Sequence, residues 1–180
     1  MQVFATRGYE GARVTDIARQ AGLSSGAIYA HYSSKAALLV DAIRAHGPDE
    51  VGRLLDTGDI RMPLPDLLVQ LAGALEHRDR TQGSLLLEAV AASRRDPELA
   101  AMFHNAVTGR EELIATLVRN GRRVGDVDED VSPDAVARFC LMVVLGAMVA
   151  RALDLPVVEP AEWTDLIARL VDGIRAEENP

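Results

Sequence analysis

The sequence has a single cysteine and few aromatic residues, and it has no apolar run long enough to span a membrane. Cys140 alone can form no intrachain disulfide and offers no metal-type cysteine spacing, so we expect a reducing compartment. The longest wholly apolar run, 139–150, has twelve residues, whereas a bilayer span needs about 18 or more. The N-terminus lacks the pattern of a secretory signal. We therefore expect a cytoplasmic protein without a membrane partner.

The residue patterns of enzymes and metal sites are also missing. The four histidines show no His-x-x-x-His spacing, and no glycine-rich phosphate loop follows a strand pattern. The acidic segment that begins at Asp126 starts like a calcium loop. Val131 stands where that loop needs glycine, however, and Ala137 stands where it needs glutamate. We expect no catalytic residues, no metal ligands and no cofactor.

The composition favours an all-α protein. Aromatic residues make up only 4% of the chain, alanine and leucine are abundant, and helical patterns are separated by proline and glycine. Asp96 before Pro97 and Ser132 before Pro133 predict two capped helix starts. The predicted helices span 2–7, 15–21, 25–31, 34–46, 49–57, 64–78, 82–95, 97–120, 133–154 and 161–176.

Charge divides the chain into two parts. The net charge of −8 is unevenly distributed: residues 1–46 carry +2, and residues 47–180 carry −10. Because the local surface matters more for nucleic-acid binding than the total, the acidic sum does not exclude such binding. We expect a small, mildly basic domain at 1–46 and a larger helical domain at 47–180.

The last two predicted helices indicate a second copy of the chain as partner. The helix over 161–176 has one apolar stripe, and the helix before it is apolar nearly all round from 139 to 150, so it should be buried on most sides. Few elements remain near the C-terminal end to cover that helix. We favour an isologous dimer over a central core helix of a monomer. The stripe consists of Trp163, Leu166, Ile167, Leu170, Val171 and Ile174.

Two short helical segments lie around Gly22. Thr15 can cap the first segment, and Gly22 allows a left-handed turn after it. Either Ser24 or Ser25 can cap the second, which runs to His31. The small Ala18 permits close approach of the two helices, which predicts a helix-turn-helix whose second helix can lie in the DNA major groove. The expected apolar contacts between them come from Ile17, Ala21, Leu23 and Ile28.

The 36-residue segment 4–39, "FATRGYEGARVTDIARQAGLSSGAIYAHYSSKAALL", closely resembles the N-terminal domain of the tetracycline-repressor (TetR) family of transcriptional regulators. The rest of the chain resembles the family as a helical body of suitable length. The matching features are Phe4 with Gly8-Tyr9, Thr15-Asp16-Ile17-Ala18, Ala21-Gly22, Tyr29-Ala30-His31-Tyr32, and Ser34-Lys35 before Leu38-Leu39.

The resemblance implies an N-terminal three-helix helix-turn-helix DNA-binding domain followed by a helical ligand-binding and dimerisation domain. It implies a homodimer that binds double-stranded DNA at a palindromic operator and is released by a small-molecule effector. In the family the first helix is normally preceded by further residues, often basic ones. Here the sequence begins close to that helix, so we expect a truncated first helix.

Eight residues are predicted to contact DNA. Ser25, Gly26 and Ala27 begin the recognition helix, where side chains most often meet base edges. A serine hydroxyl can bond a base, and the methyl group of alanine can pack on a thymine methyl. Lys35 would place an unfavourable charge at a helix start, which a bound phosphate would offset. The full predicted set is Thr15, Ser24, Ser25, Gly26, Ala27, Tyr29, His31 and Lys35.

Some of these residues have a second interpretation. Tyr29 could reach a phosphate or be a half-buried core residue, and His31 could contact DNA or offset a helix dipole. Arg13 is a weaker phosphate candidate. In the body, an apolar ligand pocket with a few polar groups is expected, with His77, Met102, Phe103 and His104 as its candidates. The alternative function is a helical interaction or ligand-binding protein that no longer binds DNA.

Overall fold

The computed structural model describes residues 2–45, 62–73, 75 and 80–176, and these residues form nine α-helices with one isolated antiparallel bridge between Val127 and Arg175. The predicted all-α class is confirmed. The predicted helix at 49–57 and the boundary at residue 46 lie outside the described residues. The helices are α1 (Gln2–Gly11), α2 (Val14–Ala21), α3 (Ser25–His31), α4 (Lys35–Ala45), α5 (Leu64–Gly73), α6 (Arg80–Ser93), α7 (Pro97–Val124), α8 (Pro133–Ala152) and α9 (Pro160–Asp172).

The helix starts marked by proline form as predicted. The Asp96 side chain accepts a hydrogen bond from the Leu99 amide at 3.0 Å, and Pro97 opens α7. Ser132 accepts from the Ala135 amide at 3.3 Å at the start of α8. Each side chain satisfies an amide that the first turn of a helix leaves without an internal partner.

One apolar core joins the first four helices, which we call the head (residues 2–45), to the following part, the body (residues 62–176). Phe4 of α1 and Leu39 of α4 are 1% and 0% exposed. They belong to the same buried cluster as Leu85 of α6 and Leu99 of α7. In accordance with this, α6 packs against α1 and α4, and α7 packs against α4. The head therefore rests directly on the body.

A second core lies farther from the head. Leu64 and Leu67 of α5 meet Val118 of α7, Ala137 of α8 and Val127, all of them nearly inaccessible to solvent. Both α5 and α8 pack against α7, whose 28 residues run through both cores. A helix of that length is about 42 Å long, so α7 connects the region next to the head with the far end of the body.

Helix α8 is less buried than the sequence predicts. It packs on α6 and α7, and Leu141 and Met148 are buried, but Phe139 and Met142 are 51% and 61% exposed. The alternative of a central core helix in a monomer is therefore wrong, and burial of α8 by a second chain stays a prediction. The reason is that α6 and α7 cover only one side of this helix.

The apolar character of α8 also extends beyond the twelve-residue run. Its 20 residues, with a mean hydropathy of 1.8 in the most apolar window, are long and apolar enough to cross a membrane by length and composition alone. In this structure α8 serves as a packing helix, since it lies against α6 at Gly83. A Cβ atom at Gly83 would lie 2.1 Å from the Met148 carbonyl oxygen.

The apolar stripe of α9 is divided between the protein interior and solvent. Ile167 and Val171 are buried, whereas Leu166 and Leu170 are 50% and 52% exposed. On the buried side, the Trp163 indole N–H donates to the Ala72 carbonyl at 3.0 Å, which attaches α9 to α5. The exposed half of the stripe remains available to a partner.

We expect Gly83→Ala to lower the free energy of unfolding by about 1–3 kcal/mol, because the new methyl group would overlap the backbone of α8. Gly109→Ala is the matched control, since a Cβ atom in that helical position meets nothing within 4 Å. The control should be neutral or stabilising by up to about 1 kcal/mol. Urea unfolding of both variants checks this, and equal stabilities would contradict the close crossing of α6 and α8.

Candidate nucleic-acid interface

The turn between α2 and α3 has the geometry that the sequence predicts. Gly22 adopts a left-handed conformation with φ 69° and ψ 23°. Its amide donates to the Arg19 carbonyl at 3.2 Å, and the Leu23 amide donates to the Ala18 carbonyl at 2.9 Å. These two bonds close the end of α2. The positive φ suits a residue without Cβ and fixes the angle at which α3 leaves the turn.

The start of α3 is fixed by Ser24. Its hydroxyl oxygen accepts from the Ala27 amide at 3.1 Å, so Ser24, and not Ser25, is the capping residue. One turn later Ile28 is 6% exposed and lies in the same buried cluster as Ile17 and Ala18 of α2. Helix α3 is therefore held at its first turn by a cap and on its inner side by Ile28.

Two details of the predicted helix-turn-helix are wrong. Thr15 does not cap α2: the helix begins at Val14, which is buried, so the first turn starts one residue earlier and Thr15 is exposed within it. Arg13 occupies the cap position without a side-chain hydrogen bond. Ala21 and Leu23 do not provide apolar contact, since Leu23 follows the turn with 52% of its surface exposed and Ala21 is also exposed.

The three predicted base readers lie together on the first turn of α3. Gly26 is exposed, and Ser25 and Ala27 are half-buried. A Cβ atom at Gly26 would touch only the Ser24 hydroxyl oxygen, at 3.7 Å, so no protein contact requires glycine at this position. The result is a small, accessible surface at the end of the helix that a DNA groove could approach closely.

The predicted phosphate-binding residues around this surface are accessible. Thr15 and His31 are exposed, and 56% of Tyr29 is exposed, more than a core tyrosine would show. Arg7 and Arg19, which are not among the predicted residues, are also exposed in the head. Both guanidinium groups bind the Asp16 carboxylate, at 2.6 Å and 3.2 Å respectively. The three-residue spacing from Asp16 to Arg19 is the signal in the sequence that could have indicated one of these pairs.

Lys35 has partners inside the protein. Its Nζ donates to the Tyr9 carbonyl at 2.7 Å and to the Ala12 carbonyl at 3.4 Å, and it lies 4.2 Å from the centre of the Tyr9 ring. The two carbonyl oxygens at the end of α1 and the face of the Tyr9 ring are electronegative, so they offset the positive charge of Lys35 at the start of α4. A bound phosphate is therefore not required to offset this charge, and contact of Lys35 with DNA stays a prediction.

Tyr32 packs towards the core of the head. The ring contacts the first buried cluster, and its hydroxyl donates to the Asp41 carboxylate of α4 at 2.7 Å. The hydrogen bond to Asp41, together with burial, raises the pKa of Tyr32. This bond attaches the end of α3 to α4 entirely within the head.

The three predicted ligand residues that the structure describes do not line one cavity. Met102 lines a cavity of about 390 Å³ between α4 and α7, whose polar groups include Tyr32, Asp41 and Asn105. Phe103 packs against the first core, and His104 is exposed. His77 lies outside the described residues.

The described part of the chain contains no group of three or more histidine, cysteine, aspartate or glutamate side chains that could hold a metal ion.

Comparison with known proteins identifies families for both parts of the chain. Residues 1–42 match the family described as "Bacterial regulatory proteins, tetR family". Residues 54–172 match "Tetracyclin repressor-like, C-terminal domain". The two matches lie on either side of the boundary predicted from charge.

Individual proteins show the same similarity. MftR of Mycobacterium tuberculosis, named as a regulator of mycofactocin biosynthesis, is 31% identical over 147 residues, which cover 82% of this chain and 73% of MftR. UidR of Escherichia coli K12, an HTH-type transcriptional regulator, is 24% identical over 82% of this chain and 74% of UidR. The structure of FadR from Bacillus subtilis, in complex with stearoyl-CoA, shares the fold with a TM-score of 0.71. That alignment covers 94% of this chain and 92% of FadR at 15% identity.

Proposed function

This chain belongs to the TetR family of DNA-binding transcriptional regulators, and from this premise we propose that it is a homodimeric repressor that a small-molecule ligand releases from a palindromic operator. The observation that carries the proposal is the recognition helix α3. It is capped by Ser24, fixed by buried Ile28, and presents Ser25, Gly26 and Ala27 on an accessible first turn. That arrangement suits insertion into a major groove.

The character of this surface suggests how sequence is read. No arginine or lysine lies between Ser24 and Ser34, so the bidentate contact with guanine that arginine makes is not available from α3. Small side chains instead allow close approach, a serine hydroxyl can bond a base, and the Ala27 methyl can pack on a thymine methyl. Thr15, Tyr29 and His31 would bind phosphates and set the register.

The dimer is supported by the position of the exposed apolar residues. Of the fourteen large apolar side chains that are exposed in the described residues, eight lie between 139 and 170. Exposed apolar side chains that recur on one face of a helix are typical of a protein interface. On α8, Phe139, Met142 and the exposed Gly146 recur at helical spacing, which would let a second copy of α8 approach closely. Such a dimer would hold the two α3 helices about 34 Å apart.

The cavity between α4 and α7 is the candidate site for the effector. FadR was solved with stearoyl-CoA, which shows that a protein of this fold can hold a ligand. In this chain the cavity between α4 and α7 has a volume of about 390 Å³, within the range of small-molecule sites. A ligand at this position between head and body would bind one orientation of the head more tightly than another. If it prefers the orientation that does not fit DNA, DNA affinity falls by the difference in its binding free energy between the two orientations.

The proposal is tested by selecting sequences from a random DNA pool and measuring binding of the selected site across a salt series. We expect a near-palindromic site whose affinity falls as salt rises, because each phosphate contact releases counterions. A scrambled site of the same length is the control. Failure to enrich any palindrome would contradict the regulator proposal and favour a helical interaction protein that does not bind DNA.

Gly26→Ala should change stability and DNA affinity in opposite directions. Alanine is a better helix former than glycine and has room here, so the free energy of unfolding should rise by about 0.5–1 kcal/mol. Operator affinity should fall about tenfold, because the added methyl group separates α3 from the base edges. Gly109→Ala, which also adds a methyl group in open space, should leave affinity unchanged. Unchanged operator affinity of Gly26→Ala would contradict the placement of Gly26 at the DNA interface.

Met142→Glu should abolish the dimer, because burying a carboxylate in an apolar interface is costly. Sedimentation equilibrium at micromolar concentration should give twice the 19.4 kDa chain mass for the unchanged protein and a single chain mass for Met142→Glu. Val124→Glu, at an apolar position that is 63% exposed on α7, is the control and should remain dimeric. A dimeric Met142→Glu or a monomeric unchanged protein would exclude this interface.

A further inference from the structure

Tyr9 lies where the head meets the body. It follows Gly8, which adopts φ 67° and breaks the regular geometry of α1. A Cβ atom at Gly8 would lie 2.8 Å from a carboxylate oxygen of Glu88 in α6. Glycine at this position therefore lets the chain approach α6 closely. The next amide, that of Tyr9, donates to Glu88.

The Tyr9 side chain makes the second contact with the body. Its hydroxyl donates to one oxygen of the Asp96 carboxylate at 2.7 Å. The other oxygen of Asp96 accepts from the Leu99 amide at the start of α7. Burial, followed by the Asp96 contact, raises the pKa of Tyr9, and the bond from Tyr9 lowers the pKa of Asp96. The same carboxylate thus caps α7 and holds a tyrosine of the head.

Tyr9 also contacts two other parts of the head. Its carbonyl accepts from Lys35 of α4 at 2.7 Å, and its ring faces the same ammonium group at 4.2 Å. The ring also stacks with Phe4, with centroids 6.3 Å apart. Through one residue, α1 and α4 of the head are connected to α6 and α7 of the body.

We propose that the Tyr9–Asp96 hydrogen bond is a positioning contact that fixes the orientation of the DNA-binding head relative to the body, and thereby the half-site spacing that the protein accepts. This proposal rests on the proposed function, because it assumes a dimer with one head on each half-site. The apolar core between head and body is non-directional. The bond from Tyr9 to Asp96 is directional and involves a charged acceptor, so it can select one orientation of the head.

The position of Asp96 explains why this contact bears on DNA binding. Asp96 precedes α7, which runs past the cavity at Met102 and Asn105 and on to the distal core. Because the Tyr9 hydroxyl is bound to Asp96, a displacement of the first turn of α7 would move both residues. The spacing between two heads in a dimer would change with it.

The test compares operator affinity at the preferred half-site spacing with affinity at spacings one and two base pairs longer. Tyr9→Phe removes the hydroxyl but keeps the ring against Phe4 and Lys35. Asp96→Ser keeps a side-chain oxygen to cap Leu99 but is too short to reach Tyr9. Each variant should bind the preferred spacing about tenfold more weakly, as expected for loss of a hydrogen bond to a charged group. Each should also discriminate less between spacings than the unchanged protein.

The double variant should lose no more than either single variant, because both remove the same bond. Ser132→Ala is the control for stability: it deletes the side-chain cap of α8, whose oxygen accepts from the Ala135 amide beside the distal core, away from the head. It should leave spacing discrimination unchanged. Equal loss of affinity at every spacing, or the same effect from Ser132→Ala, would overturn the proposal and show a role in stability alone.

Hydrogen exchange gives a readout that needs no DNA. Tyr9→Phe should increase exchange of the α1 amides near Gly8 relative to Ser132→Ala, and unchanged exchange would contradict the positioning role. If the unchanged protein binds no palindrome, the proposed function fails, whereas this measurement still tests the contact between head and body.

Discussion

The burial of Phe4 and Leu39 of the head against Leu85 and Leu99 of the body is the interaction on which the rest of the structure depends. Each such side chain contributes about 1.5–3 kcal/mol when it leaves water, so the head is not an independent module on a free linker. Apolar contact alone does not fix an angle. The hydrogen bonds of Tyr9 at the edge of this core are directional. In the proposed positioning role, they would carry a small displacement of α7 to the recognition helix.

Features encoded by neighbouring residues could be predicted from the sequence. The left-handed Gly22, the caps at Asp96 and Ser132, and the buried Ile28 all follow from spacings of a few positions. Nearly all the described helices follow from the same short-range patterns. The resemblance of segment 4–39 to TetR regulators rests on such local features too, and the family matches over 1–42 and 54–172 confirm it.

Contacts between residues far apart in the sequence could not be predicted. The partners of Lys35 lie more than twenty residues away at the end of α1, and Asp96 is 87 residues from Tyr9. No periodicity encodes such pairs, so the carbonyl groups that offset the charge of Lys35 could not be predicted. The apolar character of Leu23 predicts burial, but the direction in which the chain leaves the turn after Gly22 leaves 52% of its surface exposed. The apolar sequence of α8 predicts a covered helix, but which of its faces the chain itself covers depends on the packing of α6 and α7, and Phe139 and Met142 stay exposed.

In the proposed dimer, one body would hold two heads that enter successive major grooves on one side of the duplex. A hydroxyl-radical footprint on the selected operator tests this most directly. It should show two equal protected patches on the same face, centred about 34 Å apart and related by the palindrome. A single patch, or uniform protection without regard to the palindrome, would contradict the account.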